Sequence, residues 1–195
     1  MRTLILTVLL ACFILPAQSQ NLSASDVSQK WGKVTNEELA MTSYPKDTSA
    51  RAVVLYQQRS TNYTYNSGTG FRVNHYISVK IKILKTEGKS EGTIEIPFYY
   101  RTNGDRESIA GMEAWTYNLI NGKVVKTKLD KDYLFEETIS KNYHRLKFSM
   151  PEVNVGSVIE FKYVLSTDHV YFLPDWDIQR DIPVLNNNYD ISIPE

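Results

Sequence analysis

Three histidines (His75, His144 and His169) and two close aspartate pairs (Asp130/Asp132 and Asp175/Asp177) are the side chains here whose types could carry acid–base chemistry. A histidine can serve as the base for a serine or cysteine nucleophile. Paired carboxylates can act as acid and base or ligate calcium. The spacing supports little of this. No serine stands in a G-x-S-x-G turn, since Gly156-Ser157 lacks the rest of it. The one cysteine, Cys12, lies in an apolar N-terminal run, so intrachain disulfides and multi-thiolate metal sites are excluded. Asp130-Lys131-Asp132 sits near Lys126 and Lys128, and neither aspartate pair belongs to a full oxygen-ligand loop. Tyr63 to Gly70 contains glycines but no phosphate-binding lysine, and reads as an exposed loop. The expectation is a chain without catalytic, metal or cofactor residues of its own.

Aromatic residues make up 12% of the chain, with 13 Tyr and 3 Trp. Their rings join an apolar body to a polar tip and suit contact surfaces. Trp115, Tyr117 and Tyr163 fall on alternating apolar faces and read as core. Tyr99, Tyr100, Tyr143 and Tyr171, the last beside Phe172, are freer. With Asp175 and Asp177, placed on one face of an expected strand, they form the candidate contact surface.

Composition narrows the function classes. Lys+Arg and Asp+Glu are both 22, so the formal net charge is zero. Nucleic-acid binding would call for a clustered basic excess. Arg2, the apolar run from Thr3 to Leu15, Pro16 and the small residues Ala17 and Ser19 form the pattern of a secretory signal peptide. Cleavage is expected before Gln20, with lipidation at Cys12 the lesser alternative. The mature chain, without a thiol or a membrane span, suits an oxidising compartment.

The elements that must position these residues are strands. Residues 20–51 read as an N-terminal arm anchored by Trp31, with a short helix started by the capping box Thr35-Asn36-Glu37-Glu38. From residue 52 the apolar period becomes two. Ile77, Val79, Ile81 and Ile83 share one face, expected to be core; Ser78, Lys80 and Lys82 share the other, expected to be solvated. Pro97 marks the strand of Ile94, Ile96 and Phe98 as ending or lying at an edge. Asn121-Gly122 predicts a two-residue hairpin after Trp115–Leu119. A second hairpin is expected between 133–139 and 143–149, then strands around Ile159–Leu165, Trp176–Ile182 and Tyr189–Ile193. The fold class is all-β and mainly antiparallel: a β-sandwich over 52–195 with a short N-terminal helix.

Several long runs carry a resemblance. They are Lys82 to Gly88, Ile96 to Tyr100, AWTYNLINGKVVKTKLDKDYLFEE (114–137), KFSMPEVNVGSVIEFKYVLSTD (147–168) and LPDWDIQRDIPVL (173–185). Together they resemble domain of unknown function 3857, over roughly 30–195. The resemblance implies the N-terminal β domain of bacterial, Bacteroidetes-type transglutaminase-like envelope proteins. The Cys-His-Asp set of the catalytic module has no counterpart in this sequence. The expectation is therefore an exported, periplasmic or envelope-associated accessory domain, the front portion of a longer protein. Its partner would be a C-terminal transglutaminase-like domain or an envelope protein or peptide. The alternatives are a stand-alone carbohydrate- or peptide-binding module and, less favoured, a hydrolase using His169 or Asp175/Asp177.

Overall fold

Period-two alternation builds strands here, and the computed structural model describes them within residues 22–68, 70–100, 107–171 and 173–193. The expected signal peptide, Cys12 and Phe172 lie outside the described residues. β1 (Ala52–Asn66) and β2 (Gly70–Ile83) form one long antiparallel hairpin. The expected loop at Tyr63–Gly70 is thus mostly strand. Its tip carries the facing rings of Tyr65 and Phe71, 4.9 Å apart, a cross-strand pair that the one-dimensional pattern does not reveal.

β3 (Thr93–Tyr99) is an edge strand, a position that tolerates the missing N–H of Pro97. β4 (Ser108–Ile120) and β5 (Lys123–Lys128) are joined by the predicted Asn121-Gly122 turn. Both turn residues have positive φ, 52° and 74°, as that turn demands. β6 (Phe135–Ser140) and β7 (Tyr143–Ser149) form the second hairpin. β8 (Val158–Thr167) pairs with both β2 and β4. β9 (Asn187–Ser192) runs parallel to β1. The strands make a six-stranded sheet ordered β5-β4-β8-β2-β1-β9 and a three-stranded sheet ordered β3-β7-β6. The expected class, an all-β, mainly antiparallel sandwich with one short helix, α1 (Asn36–Ala40), is what the chain adopts.

Ile77, Val79, Ile81 and Ile83 are buried among Ile96, Phe98, Phe148, Ile159 and Phe161, as their alternation predicts. The other face of β2 departs from expectation. Lys80 and Lys82 are 1% and 0% exposed, because the N-terminal arm covers them. Leu22, Val27, Leu39, Met41 and Tyr44 of the arm pack on Val53, Leu55, Tyr117 and Val158. Leu22 and Val27 therefore anchor the arm more deeply than the half-buried Trp31. Lys80 Nζ donates to the Ser28 and Lys33 carbonyls at 2.6 and 2.8 Å and lies 3.3 Å from Glu38 Oε1. Lys82 Nζ donates to the Leu39 and Gly156 carbonyls at 2.7 and 2.6 Å. Glu38 closes the capping box with Thr35 and also accepts from Ser28 N. Alternation says that two faces differ in chemistry, not that the polar one meets water; a lysine given carbonyl and carboxylate partners can be buried.

The strand expected at Trp176–Ile182 does not form. Pro174 and Pro183 have no N–H for a ladder, and side chains hold the segment instead. Gln57 Nε2 donates to the Asp177 carbonyl at 2.8 Å, and Arg59 donates to the carbonyls of Pro174 and Asp175 at 2.6 and 3.0 Å. The Arg59 guanidinium also sits 4.8 Å from the Trp176 ring centre.

Candidate functional site

The end of β3, the start of β7 and the segment after β8 meet at one end of the sandwich. They enclose a cleft of about 820 Å³. The β3–β7 register sets Tyr99 directly opposite Tyr143. Their rings meet edge to face, 5.6 Å apart at 81°. His169, just beyond β8, also meets the Tyr99 ring edge to face, at 5.4 Å and 75°. Such T-shaped contacts use the electropositive ring edge against the electronegative face and fix ring orientation. Glu107 holds the Tyr99 backbone: its N–H donates to the Tyr99 carbonyl at 3.0 Å, and its Oε2 accepts from Tyr99 N at 2.7 Å. Tyr171, 97% exposed, and the exposed Asp175 complete the wall, with Leu173 and Pro174 between them.

Four of the six residues proposed from sequence, Tyr99, Tyr143, Tyr171 and Asp175, thus share one cleft. Tyr100 points elsewhere and packs on the His144 ring at 4.3 Å. Asp177 does not share a strand face with Asp175, because the intervening chain is irregular; the Asp177 carbonyl is the acceptor for Gln57. Glu107 and Pro97 also line the cleft, and no sequence pattern marks either as a site residue. Glu107 lies only eight residues from Tyr99, but a lone glutamate outside any motif carries no signal until its N–H and its carboxylate both bond the Tyr99 backbone. The sequence offers His169 only as a base; in the cleft it is an aromatic wall.

No serine, threonine or cysteine is among the described lining residues, and the His169 ring makes no hydrogen bond to a described residue. Among the described residues no group of three or more His, Cys, Asp or Glu side chains is placed to hold a metal ion. Asp130 caps the 3-10 turn at Lys131–Tyr133, accepting from Asp132 N. His75 is wholly buried, with Nδ1 2.9 Å from Thr61 Oγ1. What the cleft offers is a set of ring faces with hydroxyl tips and carboxylates, a surface suited to binding.

Fold and cleft together define a two-sheet β-sandwich with an aromatic end cleft. The chain belongs to DUF3857, described as a domain of unknown function with a solved structure, which matches residues 71–195. A crystal structure from Parabacteroides distasonis ATCC 8503, described as a "putative protease", is similar in fold, with a TM-score of 0.54 and 16% identity. The likeness covers 74% of this chain and 29% of that one, so this chain spans under a third of its neighbour's length. The comparison with curated proteins gives no match. No helix among the described residues is long and apolar enough to cross a membrane.

Proposed function

We propose that this chain is an exported, non-catalytic accessory domain that packs against, or guides substrate to, a transglutaminase-like catalytic domain in a longer bacterial envelope protein. The observation that carries the reading is the gathering of Tyr99, Tyr143, Tyr171 and Asp175 into one open cleft without a nucleophile among its described lining. Extended polypeptide is the ligand class such a cleft suits, because rings and hydroxyls can follow a chain without demanding one sequence. The neighbour's length supports the reading: a fold of this kind occupies less than a third of a protein described as a protease. Export rests on the signal-peptide pattern, and intact mass of the secreted protein is expected to begin at Gln20.

The test compares the isolated chain with the protein encoded by its full reading frame. The isolated chain is expected to show no amide hydrolysis or transamidation, and the full protein to show one of them. In the full protein, Tyr99→Ala with Tyr143→Ala is expected to raise KM for a peptide substrate about tenfold with kcat unchanged, as loss of uniform binding does. Turnover by the isolated chain, or a frame that stops after Glu195, sinks the proposal.

A further inference from the structure

The arm covers only part of the outer face of the six-stranded sheet, and the uncovered part is built differently from the end cleft. The strand register lays out its rungs. Where the arm sits, Tyr56, Lys80 and Glu160 stand side by side across β1, β2 and β8. The next rung is Gln58, Ser78, Lys162 and Glu113, and the one after it Ser60, Tyr76, Val164 and Ala110. Trp31 of the arm stands beside this second rung, its ring 4.6 Å from Lys162 Nζ. These rungs floor a groove of about 500 Å³ that runs from Gln29 and Trp31 to Tyr76. A bulge in β4 puts Gly111 on its wall at φ 64°, so no side chain fills the groove there.

We infer that this groove binds a neutral glycan chain across the outer sheet face, with the Trp31 and Tyr76 rings as its stacking platforms. The chemistry on the page points to a polyol. Lys162 and Glu113 are paired at 3.2 Å, so the groove carries no net charge from its floor. The Ser60 and Ser78 hydroxyls and the Gln29 amide make no hydrogen bond to any described protein group, and they face the groove. Tyr76 is 47% exposed in mid-sheet rather than at a loop tip. A pyranose has this dual character, an apolar C–H face for a ring and equatorial hydroxyls for amide and hydroxyl partners. Strands lie about 4.8 Å apart, close to the length of one sugar unit, so successive units meet successive strands. A protein partner would need a core free of charge and unpaired polar groups, whereas the floor places Gln58, Ser60, Ser78 and the Lys162–Glu113 pair there.

This inference is independent of the accessory-domain reading, since the groove and the end cleft share no residue. The test is titration of the mature chain with cellohexaose, chitohexaose and maltohexaose, followed by tryptophan fluorescence and calorimetry. Saturable binding of at least one is expected, weakened about tenfold by Tyr76→Ala, the size of loss that removing one stacked ring produces. Trp31→Tyr, which keeps a ring, should retain binding but lose most of the fluorescence change, even if Trp31→Ala loosens the arm. Tyr143→Ala, in the end cleft, should leave sugar binding unchanged. No saturation with any of the three up to about 10 mM, or binding indifferent to Tyr76→Ala, or binding abolished by Tyr143→Ala, overturns the inference.

Discussion

His75 shows what burial does to a titratable side chain that has no catalytic work. It is fully buried, its Nδ1 is matched by Thr61, and its Nε2 has no partner among the described residues. Burial, with the Arg59 charge beside it, lowers its pKa from 6.5 to about 4. The unfolded chain therefore takes up a proton below pH 6.5 that the folded chain refuses until about pH 4. Unfolding is favoured as the pH falls through that window, by about 2–4 kcal/mol in total. Urea melts at pH 7 and pH 4.5 should show a larger loss of stability in the wild type than in His75→Gln. Lys80 gives a second test. Its period-two position predicts a solvated side chain at which Lys80→Asp costs less than about 1 kcal/mol, yet it lies between Glu38 and Glu160 under the arm. Lys80→Asp is expected to cost about 3–5 kcal/mol in a urea melt, since it leaves buried carboxylates unpaired. A change within about 0.5 kcal/mol would mean that the arm does not cover this face in solution.

At the scale of elements, the arm and the sheet are joined by buried charge as well as by apolar packing. Burial lowers the Lys82 pKa from 10.5 to about 8, with Glu38 pulling the other way. Below pH 8 both the folded and unfolded states carry the charge, and the folded state bears the cost of desolvating it. Between about pH 8 and 10 the folded lysine is neutral while the unfolded one still binds its proton, so stability rises with pH. A neutral amine still has two N–H groups for the Leu39 and Gly156 carbonyls. The wild type should therefore gain about 1–3 kcal/mol over Lys82→Met when urea melts are compared at pH 7.5 and 9.5. Tyr117 sets the upper limit: burial and Glu160 raise its pKa, so the unfolded tyrosine ionises first above pH 10 and stability falls again. Glu160 is pushed up by burial and pulled down in turn by Lys80 and its bonds from Tyr117 and Gly32. The capping box and the Asn121-Gly122 turn were legible because each is decided within four residues. The burial of Lys80 and Lys82 was not, because their partners lie 42 to 80 positions away.

For the whole molecule, the same distinction between local and distant causes decides where the domain begins. The alternating runs told the class, the two hairpins and the inward face of β2. They did not tell that Tyr99, Tyr143 and His169 would stack, since the β3–β7 register and the end of β8 must both form first. Nor did they tell that Trp176 would lie on Arg59 in place of forming a strand. The family match starts at residue 71, inside β2 and after all of β1. Yet β1 pairs with β2 from Ala52↔Ile83 to Asn66↔Gly70 and carries β9 on its other edge. It also supplies Ala52 and Val54 to the inner core, and Val53 and Leu55 to the core under the arm. A fragment of residues 71–195 would expose the hydrogen-bonding edge of β2, strand β9 without its partner, and Lys80 and Lys82 without the arm. Each loss is several kcal/mol against a total stability of about 5–15 kcal/mol. That fragment is expected to lack a cooperative urea transition by circular dichroism, while residues 20–195 show one. A fragment of residues 52–195 keeps β1 but strips the cover from Leu55, Tyr117 and the two lysines. It should fold with an exposed apolar face, bind a hydrophobic dye and melt at lower urea than residues 20–195. Equal midpoints for those two chains would place the arm outside the folding unit and return Lys80 and Lys82 to solvent.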